Sequence, residues 1–193
     1  MIIGDYSAVL DACVLHPNWL RGALLWMAEE GLFRPLWSDL LLDEWQTSLS
    51  RRFPDLDPKK LARSRNVMTS SFEEAMVVIP RELIDFKQDL LPDPKDNHVL
   101  FAAICGRADA IVTANLKDFP APLLKTYELE VRHPDDFLLD MINLDGRRAV
   151  TALQNHRASL SQTTPDAKSY VDRARVCGLI QTHAKLQDYL DVI

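Results

Sequence analysis

The chain has 193 residues, enough for one domain with a substantial core and room for a helical addition. Hydrophobic residues make up 47% and charged residues 26%, with a formal net charge of −6. That balance is ordinary for a globular protein and argues against a surface that coats nucleic acid throughout, though a carboxylate-built nuclease site with a local basic patch remains compatible with it. Cys13, Cys105 and Cys177 are odd in number and widely spaced, which fits neither a disulfide framework nor a zinc pattern and suits a reducing cytoplasm. The first residues lack a signal peptide's basic and apolar regions, and no apolar run reaches the roughly 18 residues a membrane span needs.

In chain order, Ala8-Val-Leu reads as a buried strand ending near Asp11, and His16-Pro17 breaks the run. Asn18 can cap a helix from Trp19 to about Glu30, stopped by Gly31. Pro35–Ser38 is a short second strand, and Ser38 caps a helix running to about Arg51. A further helix is expected from about Lys59 to Phe72, a third strand over Met76–Ile79, and a helical or irregular link over residues 81–91. Asp93-Pro94 opens a strong helix through Arg107, Asp109–Thr113 is a fourth strand, and Leu129–Val131 is a candidate fifth. Alternation of strands and helices points to an α/β fold with a central parallel sheet of four or five strands. Beyond Pro134 the pattern is helical only, over about 135–143, 146–160 and 167–190, the last broken near Gly178. We therefore divide the chain at residue 133, into an α/β domain of residues 1–133 and an all-helical extension of residues 134–193.

Ligands of an open parallel sheet bind outside the carboxyl ends of its strands. Asp11 follows the first strand, Asn115 and Asp118 follow the strand ending at Thr113, and Asp96 lies in the first turn of the helix before it. Glu44 sits at the margin of a helix face formed by Leu41, Trp45 and Leu49, while Asp43 points away. Carboxylates converging at one sheet end repel one another unless a cation sits among them, and an all-oxygen set favours Mg²⁺ or Mn²⁺ over zinc. Such a centre suits hydrolysis of a phosphodiester. Each acid also has a structural reading taken singly: Asp11 capping the turn after its strand, Asp93 and Asp96 in a capping sequence, Glu44 on a solvated helix face, Asp118 in a turn.

Taken together, Val9-Leu-Asp11-Ala, Leu41-Leu-Asp-Glu44, the segment from Leu91 through Asp96 to Ile104, and Ala108 through Thr113 and Asn115 to Asp118-Phe-Pro resemble, in order, the acidic motifs of the PIN-domain family. The resemblance covers roughly residues 5–133. The helical remainder resembles the C-terminal extension on one branch of VapC-like toxins. It implies a PIN-like three-layer fold and a Mg²⁺- or Mn²⁺-dependent endoribonuclease. On the matching positions it makes Asp11 and Asp96 metal ligands, has Glu44 help hold the metal or its water, and divides the fourth acidic role between Asn115 and Asp118. Thr113 and Asp93 are supporting residues, and the implied partners are RNA and a cognate antitoxin with a DNA-binding domain; a homodimer is compatible with it. A housekeeping RNA-processing nuclease and a non-catalytic scaffold binding RNA or protein stay open beside the toxin. A phosphatase of the haloacid dehalogenase type would want an acid at position 13, where Cys13 stands.

Arg51-Arg52, with Lys59-Lys60, Arg63 and Arg65, is the densest basic stretch and a candidate for RNA phosphates, or equally a solvated face. His98 tempts as a general base but is not needed where a metal activates water. Trp26, Trp37 and Trp45 read as core. Two stripes of the extension, Tyr170-Val171-Ala174-Cys177 and Leu186-Tyr189-Leu190, suit either an antitoxin or closure of the core.

Overall fold

The computed structural model describes residues 6–85, 90–160 and 164–193. Strand β1 (Ser7–Leu10) is buried at every position, Ser7 at 1% exposure and Ala8, Val9 and Leu10 at 0%. Successive strand residues face opposite sides, so layers must cover both faces of the sheet here. A single helical turn, α1 (Ala12–Leu15), follows Asp11 directly, and α2 (Asn18–Glu29) begins after Pro17. Gly31 ends that helix region in the left-handed conformation at φ +72, which other residues adopt only with strain.

Strand β2 (Arg34–Leu36) leads into α3 (Asp39–Arg52), where Ser38 Oγ accepts from the Leu41 amide at 3.3 Å. Asp39 in its first turn and Arg51 and Arg52 in its last match the helix dipole. Asp57 caps α4 (Pro58–Ser71), and α5 (Arg81–Ile84) is one turn. Of the link expected over residues 81–91, positions 86–89 lie outside the described residues.

A 3-10 turn at Pro94–Asp96 precedes α6 (Asn97–Gly106), so the helix expected from Pro94 opens in the tighter form. Then come β3 (Ala110–Val112), a 3-10 turn at Leu116–Asp118, α7 (Ala121–Leu124) and β4 (Glu130–Arg132). The expected strand over Met76–Ile79 does not form. The segment makes only one parallel bridge, Trp37 to Met76, with Val78 82% exposed and Pro80 unable to donate beyond it.

Among the described residues the sheet has four strands, all parallel, in the order β2-β1-β3-β4. The chain leaves β1 to one side for β2 and returns to the other side for β3, so the switch point lies between β1 and β3. Leu10 is in register with Val112, which brings Asp11 and Thr113 side by side at the carboxyl edge.

The extension comprises α8 (Pro134–Leu144), α9 (Gly146–Ser159), α10 (Ala167–Val176) and α11 (Ile180–Leu186), with a 3-10 turn at Gln187–Tyr189. Gly178, at φ +80, makes the break between α10 and α11. These helices share the core of the α/β part. Helix α9 lies so close on α2 that a Cβ at Gly22 would fall 2.1 Å from His156 Nε2. Trp19, His156 and Tyr170 cluster there, with ring centroids 5.5–6.2 Å apart, and His156 Nδ1 is 2.9 Å from the Tyr170 hydroxyl. Burial, and then the charges of Arg21 and Arg173, hold the His156 pKa down at about 4, so the ring is neutral. Tyr170, Val171, Ala174 and Leu186 are buried at 0%, and Cys177, Tyr189 and Leu190 pack against the same core. Both stripes of the extension thus close the core and do not stand free for a partner.

Candidate metal-dependent nuclease site

Asp11 ends β1 and stands at the head of α1, yet its side chain makes no capping bond to that helix. At 8% exposure, its Oδ2 accepts from Thr113 Oγ1 at 2.7 Å and from Cys13 Sγ at 3.0 Å. Thr113 Oγ1 in turn accepts from the Asn115 amide at 3.0 Å. One carboxylate oxygen is thereby fixed from behind, which leaves Oδ1 free of this network. Burial first, and then the charge and hydrogen bond of Asp11, push the Cys13 thiol up to about 12, so it stays a donor.

Asp96 stands before α6 and likewise makes no capping bond; Asp93 does the capping, accepting from the Lys95 amide at 3.0 Å. The structural readings of Asp11 and Asp96 as caps therefore fail, and that of Asp93 holds. Burial, followed by the charges of Asp11, Asp93, Glu44 and Asp118, raises the Asp96 pKa from 3.8 to about 6. Asp96 thus feels the charges of Asp11, Glu44 and Asp118 across the carboxyl edge. Asp118 accepts from Asn115 Nδ2, so the two candidates for the fourth role are bonded to each other.

Glu44 projects from α3 with its side chain 46% exposed, and Oε2 lies 3.1 Å from His98 Nε2. His98 Nδ1 lies 2.7 Å from the Lys95 carbonyl, which can only accept, so Nδ1 carries a proton. Nε2 is buried and off the line of a well-formed hydrogen bond. Burial pulls the His98 pKa down, but Glu44, the Lys95 carbonyl and the charge of Asp11 outweigh it and the net displacement is upward. His98 braces Glu44 and does not stand free as a base.

Among the described residues, no three acid, His or Cys side chains form a ready-made metal cage. The donor set is nevertheless all-oxygen, with His98 beside Glu44 alone, which fits an ion such as Mg²⁺ that keeps several waters and takes only one or two carboxylates. Asp11 is the most enclosed acid of the set, Asp96 and Asp118 are half-buried and Glu44 is exposed.

Arg51 and Arg52, in the last turn of α3, and Lys59, in the first turn of α4, are all exposed. Arg51 lines an open cleft of about 470 Å³ with Gln46, Thr47, Ser50, Pro58 and Leu61. Arg65 leaves the basic group proposed from the sequence, because it pairs with Asp39 at 2.8 Å and with Asp43. Trp37 and Trp45 are fully buried and Trp26 is half-buried against the core.

Sequence reasoning missed two features beside the acids. Cys13 touches both Asp11 and Thr113, and its only sequence signal was its place two residues after Asp11. His16 and Ser48 are hydrogen-bonded across 32 positions, with no motif linking them.

Residues 5–117, more than half of the chain, match the PIN domain family, and residues 134–188 match the VapC50 C-terminal domain family. Over 50 residues the chain is 58% identical to a protein of Mycobacterium tuberculosis (strain ATCC 25618 / H37Rv) named "Putative ribonuclease VapC50". That stretch is 26% of this chain and 30% of the relative, so less than a third of the relative's length is matched. No solved structure matches. With the acidic motifs, the parallel sheet and the family match all falling on the same N-terminal residues, the chain belongs to the PIN-domain family, in the form that carries a VapC50-type C-terminal domain.

Proposed function

We propose that this protein is a Mg²⁺- or Mn²⁺-dependent endoribonuclease, acting in the cytoplasm as the toxin of a toxin–antitoxin pair. The observation that carries the reading is the shared field of Asp11, Glu44, Asp96 and Asp118 at the carboxyl edge of the sheet, strong enough with burial to raise Asp96 to about 6. The ribonuclease name of the M. tuberculosis relative supports the same chemistry.

Asp11 and Asp96 would hold the cation, which would supply Lewis acidity for phosphodiester hydrolysis. Thr113 and Cys13 keep Asp11 in one rotamer, so its unengaged oxygen is presented without a search. His98 keeps Glu44 turned toward the acids. Asn115 fixes Asp118, and the exposed Arg51, Arg52 and Lys59, grouped where α3 ends and α4 begins, would take phosphates of the single strand to one side of the cut. The same acidic charge suits an arginine fork from an antitoxin carrying a DNA-binding domain, which would silence the enzyme by occupying the cation's place.

Expression in a bacterial host tests the toxin reading. The parent chain should slow growth and leave new RNA fragments, Asp11→Asn should do neither, and co-expression of the neighbouring gene should restore growth. Harmless accumulation of folded, RNA-cleaving parent protein would remove the toxin role and leave the nuclease.

A further inference from the structure

The open cleft of about 470 Å³ between α3 and α4 contains none of the acids, yet one helix face joins it to them. Thr47 and Arg51 on its rim follow Glu44 by three and seven residues. At 100° per residue they share the Glu44 side of α3, about 5 and 10 Å further along the axis. Arg51 and Pro58 are exposed, whereas Gln46 is half-buried and Leu61 is buried, so the last two form the deeper part. Arg65 Nη1 donates to Gln46 Oε1 at 2.9 Å, and that guanidinium is itself tethered to Asp39 and Asp43. A guanidinium only donates, so the bond decides which way round the amide sits: its oxygen faces Arg65 and its nitrogen does not. Gln46 Nε2 has no hydrogen-bond partner among the described residues. The amide atom left to serve the cleft is therefore a donor.

A cation at the mouth, apolar surface from Pro58 and Leu61, and a donor at depth together complement a nucleotide set in base first. With its phosphate on Arg51, the sugar stays at the mouth, and the base edge farthest from the glycosidic bond reaches Gln46. At that edge uracil and guanine carry a carbonyl oxygen, while cytosine and adenine carry an amino group. Glutamine reads adenine with both amide atoms, the oxygen taking the amino hydrogen. Here Arg65 turns that oxygen aside, and an amino group would meet Nε2 donor to donor. A carbonyl meets it as an acceptor.

We infer that the α3–α4 cleft is a base-reading subsite of the nuclease proposed above, taking a keto base, uracil or guanine, of a nucleotide near the scissile phosphate through a hydrogen bond from Gln46 Nε2. The inference rests on that nuclease reading. Arg65 is the positioning residue: it touches no RNA and acts by holding the Gln46 amide in one orientation.

The test is fluorescence anisotropy in EDTA, so that nothing is cut, with end-labelled 12-mers in two pairs. Oligo(rU) is set against oligo(rC), and oligo(rI), which carries guanine's 6-carbonyl, against oligo(rA), in a lithium buffer that discourages four-stranded pairing. Phosphate contacts and repulsion from the acid cluster are common to a pair and cancel in its affinity ratio. The parent protein should prefer the keto member, and the pair in which it does so identifies the base as uracil or guanine. Gln46→Leu should cut that preference about threefold to tenfold, the worth of one hydrogen bond. Gln46→Glu keeps an oxygen for Arg65 and puts an acceptor where the donor was, so it should reverse the preference toward the amino member. It also decides the matter if Gln46→Leu does not fold. A glutamine that only holds Arg65 in place would shift both members of a pair alike. That result, or a parent protein without preference in either pair, overturns the base-reading contact alone. Failure of the parent chain to bind any of the oligomers overturns the nuclease reading and this inference with it.

Discussion

Replacing Asp96 by Asn keeps the side chain's shape and removes its charge, and the structure fixes the sign of the stability change. Moving the carboxyl from 3.8 to about 6 corresponds to about 3 kcal/mol at roughly 1.4 kcal/mol per pH unit. The group is about half exposed, and solvent screening reduces that to about 1–1.5 kcal/mol. Because the folded pKa lies above the unfolded one, the protonated carboxyl's full contribution to stability is present below about 3.8 and is lost as pH rises through about 6. At pH 7.5, in EDTA, Asp96 is therefore a burden, and Asp96→Asn should melt higher by about 2–6 °C for a chain of this size. The gain should shrink as pH is lowered toward 4. Added Mg²⁺ or Mn²⁺ should raise the melting temperature of the parent protein and not that of the variant. Thermal unfolding at a series of pH values, with and without metal, reads all three effects. An Asn variant that melts lower in EDTA at pH 7.5, or a difference independent of pH, would refute the argument that Asp96 sits in an unrelieved acid field.

Thr113→Val removes the hydroxyl bonded to Asp11 while keeping the β-branched shape at 0% exposure, so metal affinity, measured by titration calorimetry, should fall about 10- to 100-fold with the fold intact. Arg51→Glu with Arg52→Glu should weaken RNA binding and lower the slope of log affinity against log salt by about 0.7 for each phosphate no longer neutralised; an unchanged slope would move RNA binding off this edge. Gly22→Ala should destabilise the protein by about 1–3 kcal/mol in urea unfolding, because the new methyl meets His156 and the α2–α9 packing must give way. Ending the chain after His133 should yield an insoluble or unfolded product, since it strips α9 and α10 from Trp19; a truncated chain with a cooperative melt would show that residues 6–133 fold alone.

The acid site was legible because its logic is local. Asp11 follows a short apolar strand, Asp96 follows a capping sequence, and strand order then brings their elements to one edge. The helices with a side-chain cap, such as those opened by Ser38 and Asp57, were located to within a residue or two for the same reason. Met76–Ile79 misled because a β-branched apolar run carries strand propensity wherever it lies, and only the tertiary structure leaves Val78 in solvent. The role of the tail was not legible either. An amphipathic stripe shows that a helix buries one face without naming what covers it, and only the fit of His156 against Gly22 and Trp19 identifies the cover as the chain's own core. His16 and Ser48 are ordinary residues until the fold joins them, and Arg65 looks like an RNA-binding side chain until Asp39 and Asp43 take it.

If Asp11 and Asp96 hold a divalent ion that drives RNA cleavage, the ion and both carboxylates must each be needed for it. Incubation of the purified chain with a single-stranded RNA in Mn²⁺, in EDTA, and in EDTA followed by excess Mn²⁺ tests it directly, alongside Asp11→Asn and Asp96→Asn. Internal cuts are expected with Mn²⁺, none in EDTA, recovery on adding the metal back, and at least a hundredfold loss in both variants, roughly what removing one key charge-stabilising group costs. Cleavage that persists in EDTA, or variants that cut at the parent rate in Mn²⁺, would contradict it.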